Sequence, residues 1–293
     1  MKHSIRLLIA ALLALPMLLP AQGLRTFKDT RIIHAHSVEM LPKRKLDVRI
    51  GHRFGDMFGP RGGWESFYGL ENAADVLIGA DYGLTNRINI GAYRSKGTGD
   101  LRALVSGIAK VRFVEQSDLG SPLSIAMVGV YSTSTMARNP NPGFVSSFPN
   151  FTDRMAFALQ VLLAHKFSDR FSLQLLPSYV HRNRVRGDDV NGMLSVGLAG
   201  RIQITKVFGL ILDTAVPLNG PQYPFASLVP ASLGDYQPIL GFGLEIDTGG
   251  HVFQANFTNA MGLIETDYLV NTRSNWLEGG FRFGFTISRR FNL

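Results

Sequence analysis

The sequence predicts a closed antiparallel transmembrane β-barrel of about twelve strands, after a cleaved signal peptide. Three observations predict it. The last segment alternates apolar and polar residues up to the final residue. The first segment has the layout of a secretory signal. Between them, short and long connections alternate along the chain.

Residues 1–23 read as the signal. Lys2 and Arg6 make a positive start, Leu7 to Leu19 is apolar apart from Pro16, and Ala21-Gln22-Gly23 supplies small residues at a cleavage spacing. The apolar run is about 13 residues, short of the roughly 20 a spanning helix needs. The chain has no Cys, which rules out a lipidated N-terminal Cys, a disulfide and a thiolate metal site. Residues 24–44 read as a periplasmic lead-in or a plug, and 45–293 as the barrel.

Strands are predicted over 45–54, 73–83, 88–95, 101–114, 123–134, 154–166, 171–182, 192–204, 207–216, 238–247, 251–260 and 279–293. Most are near the roughly 9–11 residues that a tilted membrane strand requires. In 279–293, Phe281, Phe283, Phe285, Ile287, Phe291 and Leu293 share one parity; Arg282, Gly284, Thr286, Ser288 and Arg290 share the other. Side chains alternate between faces along a strand, so one face is apolar and the other polar. Strand 154–166 sorts Met155, Phe157, Leu159, Val161 and Leu163 from Ala156, Ala158, Gln160 and Lys166. Strand 171–182 sorts Phe171, Leu173, Leu175 and Tyr179 from Ser172, Gln174, Ser178 and Arg182. Strands 123–134 and 207–216 are apolar on both faces.

The short connections are Thr85-Asn86-Arg87, 116–122, 167–170, Thr205-Lys206 and 248–250. The long ones are 55–72, 135–153, 183–191, 217–237 and 261–278, with 95–100 a short member of the long set. Outer-membrane barrels have short periplasmic turns and longer extracellular loops. A soluble sandwich or lipocalin-like barrel also alternates. The mature length, and Tyr82, Tyr93, Tyr131, Tyr179, Phe167 and Phe171 near the predicted interfaces, favour the membrane form.

Several stretches resemble an uncharacterised outer-membrane β-barrel family of Gram-negative bacteria, a family of unknown function. They are His36-Ser37-Val38-Glu39, His52-Arg53-Phe54-Gly55, the run Tyr82 to Arg87, Lys166 to Gln174, Val180-His181-Arg182-Asn183, Thr248-Gly249-Gly250-His251-Val252-Phe253-Gln254, and Phe283 to Arg289. The string from Thr248 to Gln254 is the most specific. Loop 217–237 and the terminal Leu293 depart from the pattern. The resemblance implies an outer-membrane location and a barrel, and carries no activity.

The chemistry points to the lumen. The inward parity carries Arg49, Asp81, Lys110, Arg112, Arg201, Glu245, Asp247 and Arg282 as candidate pore-lining residues, with small Gly79, Gly197, Gly241, Gly243 and Gly284 among them. Both charge signs occur, so these residues either line a narrow wet path or pair across it and close it. His34 and His36 lack a third metal ligand at a recognisable spacing, and a structural role is the expectation; no cofactor or metal is implied. There is no Gly-x-Ser-x-Gly or phosphate-binding glycine motif, so no enzymatic activity is expected. Lys and Arg number 30 against 22 Asp and Glu; losing Lys2 and Arg6 with the signal leaves +6. Basic runs stop at Lys43-Arg44-Lys45, so nucleic acid is not an expected partner.

The expected partners are outer-membrane lipid, the barrel-assembly machinery during insertion, and a small solute. The leading functional expectation is a narrow channel or uptake protein for a small solute. The alternatives are a closed barrel serving as a scaffold or partner anchor, and a membrane enzyme acting on lipid or envelope polymer.

Overall fold

The computed structural model describes residues 24–117, 120–187, 189–219 and 236–293. The signal reading of 1–23 and most of loop 217–237 lie outside them. A two-residue hairpin comes first, β1 (Arg31–Ile32) and β2 (Ala35–His36). Twelve longer strands follow: β3 (Lys45–Phe54), β4 (Ala73–Gly83), β5 (Ile88–Ser95), β6 (Leu104–Val114), β7 (Ser124–Ser134), β8 (Met155–Lys166), β9 (Phe171–Arg182), β10 (Gly192–Gln203), β11 (Phe208–Pro217), β12 (Ile239–Asp247), β13 (His251–Thr258) and β14 (Arg282–Asn292).

Each of the twelve pairs antiparallel with the next. β14 returns to β3, with Gly284 opposite Arg53 and Asn292 opposite Lys45, and the barrel closes. Closure matters because an open edge in hydrocarbon would leave backbone groups unpaired, at several kcal/mol each. The only α-helix among the described residues is α1 (Glu265–Asn271), inside the connection between β13 and β14. No described helix is long and apolar enough to cross a membrane.

The two-residue period holds around the wall. On β8, Phe157 and Leu159 are exposed outward while Ala158, Gln160, Leu162 and Ala164 are buried inward. On β14, Arg282, Gly284, Thr286 and Ser288 are buried and the phenylalanines between them face out. Aromatic rings cluster on the outer face near both rims. At the long-loop end Phe283 packs on Phe54 and Phe257 at 5.6 and 5.7 Å, and Trp276 stacks on Phe281 at 4.5 Å. At the short-turn end Phe167 sits 4.4 Å from His165 and 5.4 Å from Phe171. Such girdles mark the two membrane interfaces of a barrel.

The strand ends differ from the sequence reading in small, local ways. β6 begins at Leu104 rather than 101, because Ala103 takes a left-handed φ of 53° and breaks the extended chain. β14 begins at Arg282 rather than 279, because Gly279, at φ 75°, ends the short turn Trp276–Glu278. β13 ends at Thr258, after which the chain turns inward.

Candidate functional site

Two pieces of the chain's own backbone occupy the lumen. Residues 24–44 rise from the short-turn end and return to it. Leu24 N donates to Gln116 O at 3.0 Å, and the β1–β2 hairpin forms the top. The β13–β14 connection dips in from the long-loop end.

The wall meets the N-terminal segment mainly through polar side chains that bind its backbone. On β11, Asp213 accepts from His34 N (2.8 Å), Ala35 N (3.1 Å) and His34 Nδ1 (3.0 Å). On β9, Gln174 accepts from Val38 N and donates to His36 O. On β5, Asn89 makes the same two-way contact with Leu41. On β13, Gln254 donates to Arg31 O at 2.9 Å. Lys110, on β6, donates to the carbonyls of Ser37 (3.1 Å) and Glu39 (2.6 Å). Arg49, on β3, grips Asp29 with both terminal nitrogens at 2.8 and 2.7 Å. A lumen segment whose own ladder is only two residues long has its remaining peptide groups satisfied in this way.

The hairpin tip is strained. Ile33 is β-branched and sits at φ 52°, a region such residues avoid. The paired amides of His34 and Ala35 on Asp213 hold the turn in place. Apolar side chains Phe27, Ile32, Ile33 and Val38 pack into one buried cluster with Ile108, Val128, Leu162 and Leu176 of the wall. Strands 123–134 and 154–166 therefore carry apolar residues inward as well as outward.

The two insertions meet in the middle of the lumen. Arg31 Nη1 lies 3.1 Å from Glu265 Oε1, and His36 Nε2 lies 3.4 Å from the same oxygen. The His34 ring packs 5.2 Å from Tyr268. Thr266 shares a 2.6 Å hydrogen bond with Ser132 of β7, and Asp75 of β4 accepts from Leu263 N at 3.0 Å. Burial holds His34 below its usual pKa, against the pull of Asp213. Burial, with Arg31, Lys110 and Arg49 nearby, holds His36 far below. Burial raises Glu265 although Arg31 opposes it. Burial would also raise Asp29, but Arg49 outweighs it and the carboxyl lies below its usual value.

Of the eight candidate pore-lining residues, Arg49 and Lys110 contact the N-terminal segment as described, and Asp247 lies 3.9 Å from Lys28. Arg201 and Glu245 pair with each other across strands at 2.6 Å. Asp81 accepts from the Tyr93 hydroxyl at 2.6 Å. Arg112 pairs locally with Glu115 at 2.8 Å, near the short-turn rim. Arg282 donates to Ser274 Oγ at 2.7 Å in the long-loop half. Asp213, Asn89, Asp75 and Arg53 also carry the arrangement and are absent from that set. Their parity was readable. Asp213 is the only charge in the apolar run of β11, and it sits opposite in phase to Leu210 and Leu212.

No curated protein matches the chain. Among solved structures it is similar to the KdgM porin in complex with disordered oligogalacturonate, at 7% identity, covering 84% of this chain and 99% of that one, with a TM-score of 0.49. It is similar to the NanC porin at 12% identity, covering 85% and 100%, with a TM-score of 0.47. It is similar to an outer membrane channel from Pseudomonas putida F1 at 14% identity, covering 87% and 98%, with a TM-score of 0.49. Residues 27–291 match the membrane bound beta barrel domain (DUF5777), and the chain belongs to that family.

Proposed function

We propose that this barrel is a gated channel for a small solute, with residues 24–44 as the gate on the short-turn side and the β13–β14 connection as the gate on the other. The observation that carries the reading is the polar character of the contact between wall and N-terminal segment. A wall that served only as a closed core would favour apolar contact all round. Here Asn89, Lys110, Gln174, Asp213 and Gln254 bind backbone groups, and Arg49 binds the Asp29 carboxylate, all of which water could bind instead. Each such bond is worth about 0.5–1.5 kcal/mol net, because water takes its place when it breaks. The buried Phe27, Ile32 and Val38 add about 1.5–3 kcal/mol each towards docking. The balance favours a closed resting state from which the segment can leave. Once it has left, Arg49, Asp81, Lys110, Arg112, Arg201, Glu245, Asp247 and Arg282 would line the path.

A permanently closed barrel that anchors a partner is the second reading, and the apolar packing of Phe27, Ile32, Ile33 and Val38 supports it. Planar-bilayer recording separates the two. The wild type should stay closed for most of the record. Asp29→Ala with Asp213→Ala should open it, since the change takes the carboxylate from the His34 and Ala35 amides and the segment's own carboxylate from Arg49, which then keeps only Asp47 on the wall. Orphaning buried donors costs about 1–3 kcal/mol each. A folded double variant that never conducts would remove the channel and leave the anchor.

A further inference from the structure

The long-loop mouth holds a cavity that the closed lumen does not explain. It lies where the ends of β6 to β9 meet α1, and Arg154, Arg182 and Arg184 all line it. The cavity volume is ≈ 30 Å³. That suits roughly two waters, or one oxyanion, rather than a whole sugar ring.

The charges at this cavity do not balance. Arg154 donates only to carbonyls, those of Ser134 (3.2 Å) and Met136 (2.6 Å), and lies 4.0 Å over the Phe148 ring. Arg184 donates to Ser147 Oγ (2.9 Å) and to the carbonyls of Pro142 and Phe144. Neither has a carboxylate within ion-pair distance among the described residues. Arg182 is 8% exposed and pairs with Asp189 at 3.0 Å, but its Nε has no hydrogen-bond partner.

Two carboxylates also line the space, and both are committed elsewhere. Asp100 is held by Arg186 at 2.8 and 2.6 Å. Asp267 accepts from Thr98 N, Thr98 Oγ1, Gly99 N and Asn271 Nδ2. A guanidinium offers planar pairs of donors that match an oxyanion.

We propose that this cavity is an oxyanion-binding site, formed by Arg154, Arg182 and Arg184, that takes an inorganic oxyanion or the charged head of a small solute. Its floor includes Thr266, Asp267 and Asn271 of the β13–β14 connection, so an ion held there touches the outer gate. The site rests on the mouth geometry alone. That its ion belongs to the transported solute rests on the channel reading above.

Calorimetric titration of the full chain in detergent, at constant ionic strength in a chloride background, tests it with inorganic phosphate, glucose 6-phosphate and glucose. Phosphate should bind saturably and glucose should not. Arg154→Gln with Arg184→Gln should weaken phosphate binding on the order of tenfold or more, as expected for two lost charged hydrogen bonds. Val185→Trp, which fills the cavity and keeps all three arginines, should also weaken it, and it decides the matter if the double variant fails to fold. Arg87→Gln, exposed at the opposite end, should leave binding unchanged. Glucose 6-phosphate binding at least as well as phosphate identifies a solute head group; phosphate alone identifies a free ion. Absence of saturable phosphate binding, or equal binding by the folded double variant or by Val185→Trp, overturns the site. Binding in a barrel that never conducts would keep the site and remove the channel, and conduction without binding would do the reverse.

Discussion

Phe283 and Gly284 are neighbours on β14 that face opposite solvents. Phe283 points to lipid between Phe54 and Phe257. Gly284 points inward, and what matters there is room. A Cβ at 284 would meet the Arg53 guanidinium, with Arg53 Cδ and the His52 carbonyl each at 2.9 Å. Gly284 thus lets Arg53 lie along the wall, where Nη1 donates to Asn256 Oδ1 at 2.6 Å. Phe283→Arg places a charge against acyl chains, at about 2–4 kcal/mol near the midplane and less towards the rim. It should reduce assembly well below that of Thr286→Ala, an inward change on the same strand. The readout is the fraction of chain whose gel mobility shifts on heating; equal fractions would reverse the facing assigned to β14.

On the gated-channel reading, docking of the N-terminal segment should depend on pH. His34 and His36 are held below the ordinary histidine value of 6.5 when docked. A group with a depressed folded pKa binds its proton more readily after release. Its contribution to docking is complete above about 6.5 and is lost as pH falls towards the docked value. Glu265, raised by burial, acts in the opposite sense, since the docked state accepts its proton more readily. With two histidines against one carboxyl, acidification from pH 7.5 to 5 should raise the open fraction in planar bilayers. His34→Gln with His36→Gln should flatten that dependence. An open fraction that falls with acid in the wild type would mean that Glu265 dominates.

At the scale of the whole molecule, the wall carries Arg49, Arg53, Lys110, Arg201 and Arg282 against Asp47, Asp75, Asp81, Asp213 and Glu245, all buried. Several of the acids are spent on backbone amides. Asp75 accepts from Val76, Gly97 and Leu263, and Asp213 from His34 and Ala35. On the gated-channel reading, opening would free Asp213 and take Asp29 from Arg49, which keeps Asp47, while Arg53 and Arg282 have no carboxylate within ion-pair distance among the described residues. The open path should therefore prefer anions, because fixed charge in a narrow pore sets selectivity. In the Asp29→Ala, Asp213→Ala background, adding Lys110→Gln, Arg201→Gln and Arg282→Gln should shift the reversal potential towards cations. An unmoved reversal potential would place these three off the conducting path.

The sequence alone determined the barrel, and the reason is locality. The period of two is a property of each strand, so Phe157 against Gln160, or Phe283 against Arg282, sorts outside from inside without knowledge of the rest. The alternation of 85–87 and 167–170 with 55–72 and 135–153 distinguished the two ends in the same way. The content of the lumen was not legible, because its contacts are remote in the chain. Asp213 meets His34 across 179 positions and Arg31 meets Glu265 across 234. No periodicity links such pairs. The hairpin at Arg31–Ile32 and Ala35–His36 is too short to show a period at all, so a hanging segment and an inserted one read alike. Only the closed ring of strands, which brings β5, β6, β9 and β11 around that hairpin at once, decides that its backbone lies inside the barrel.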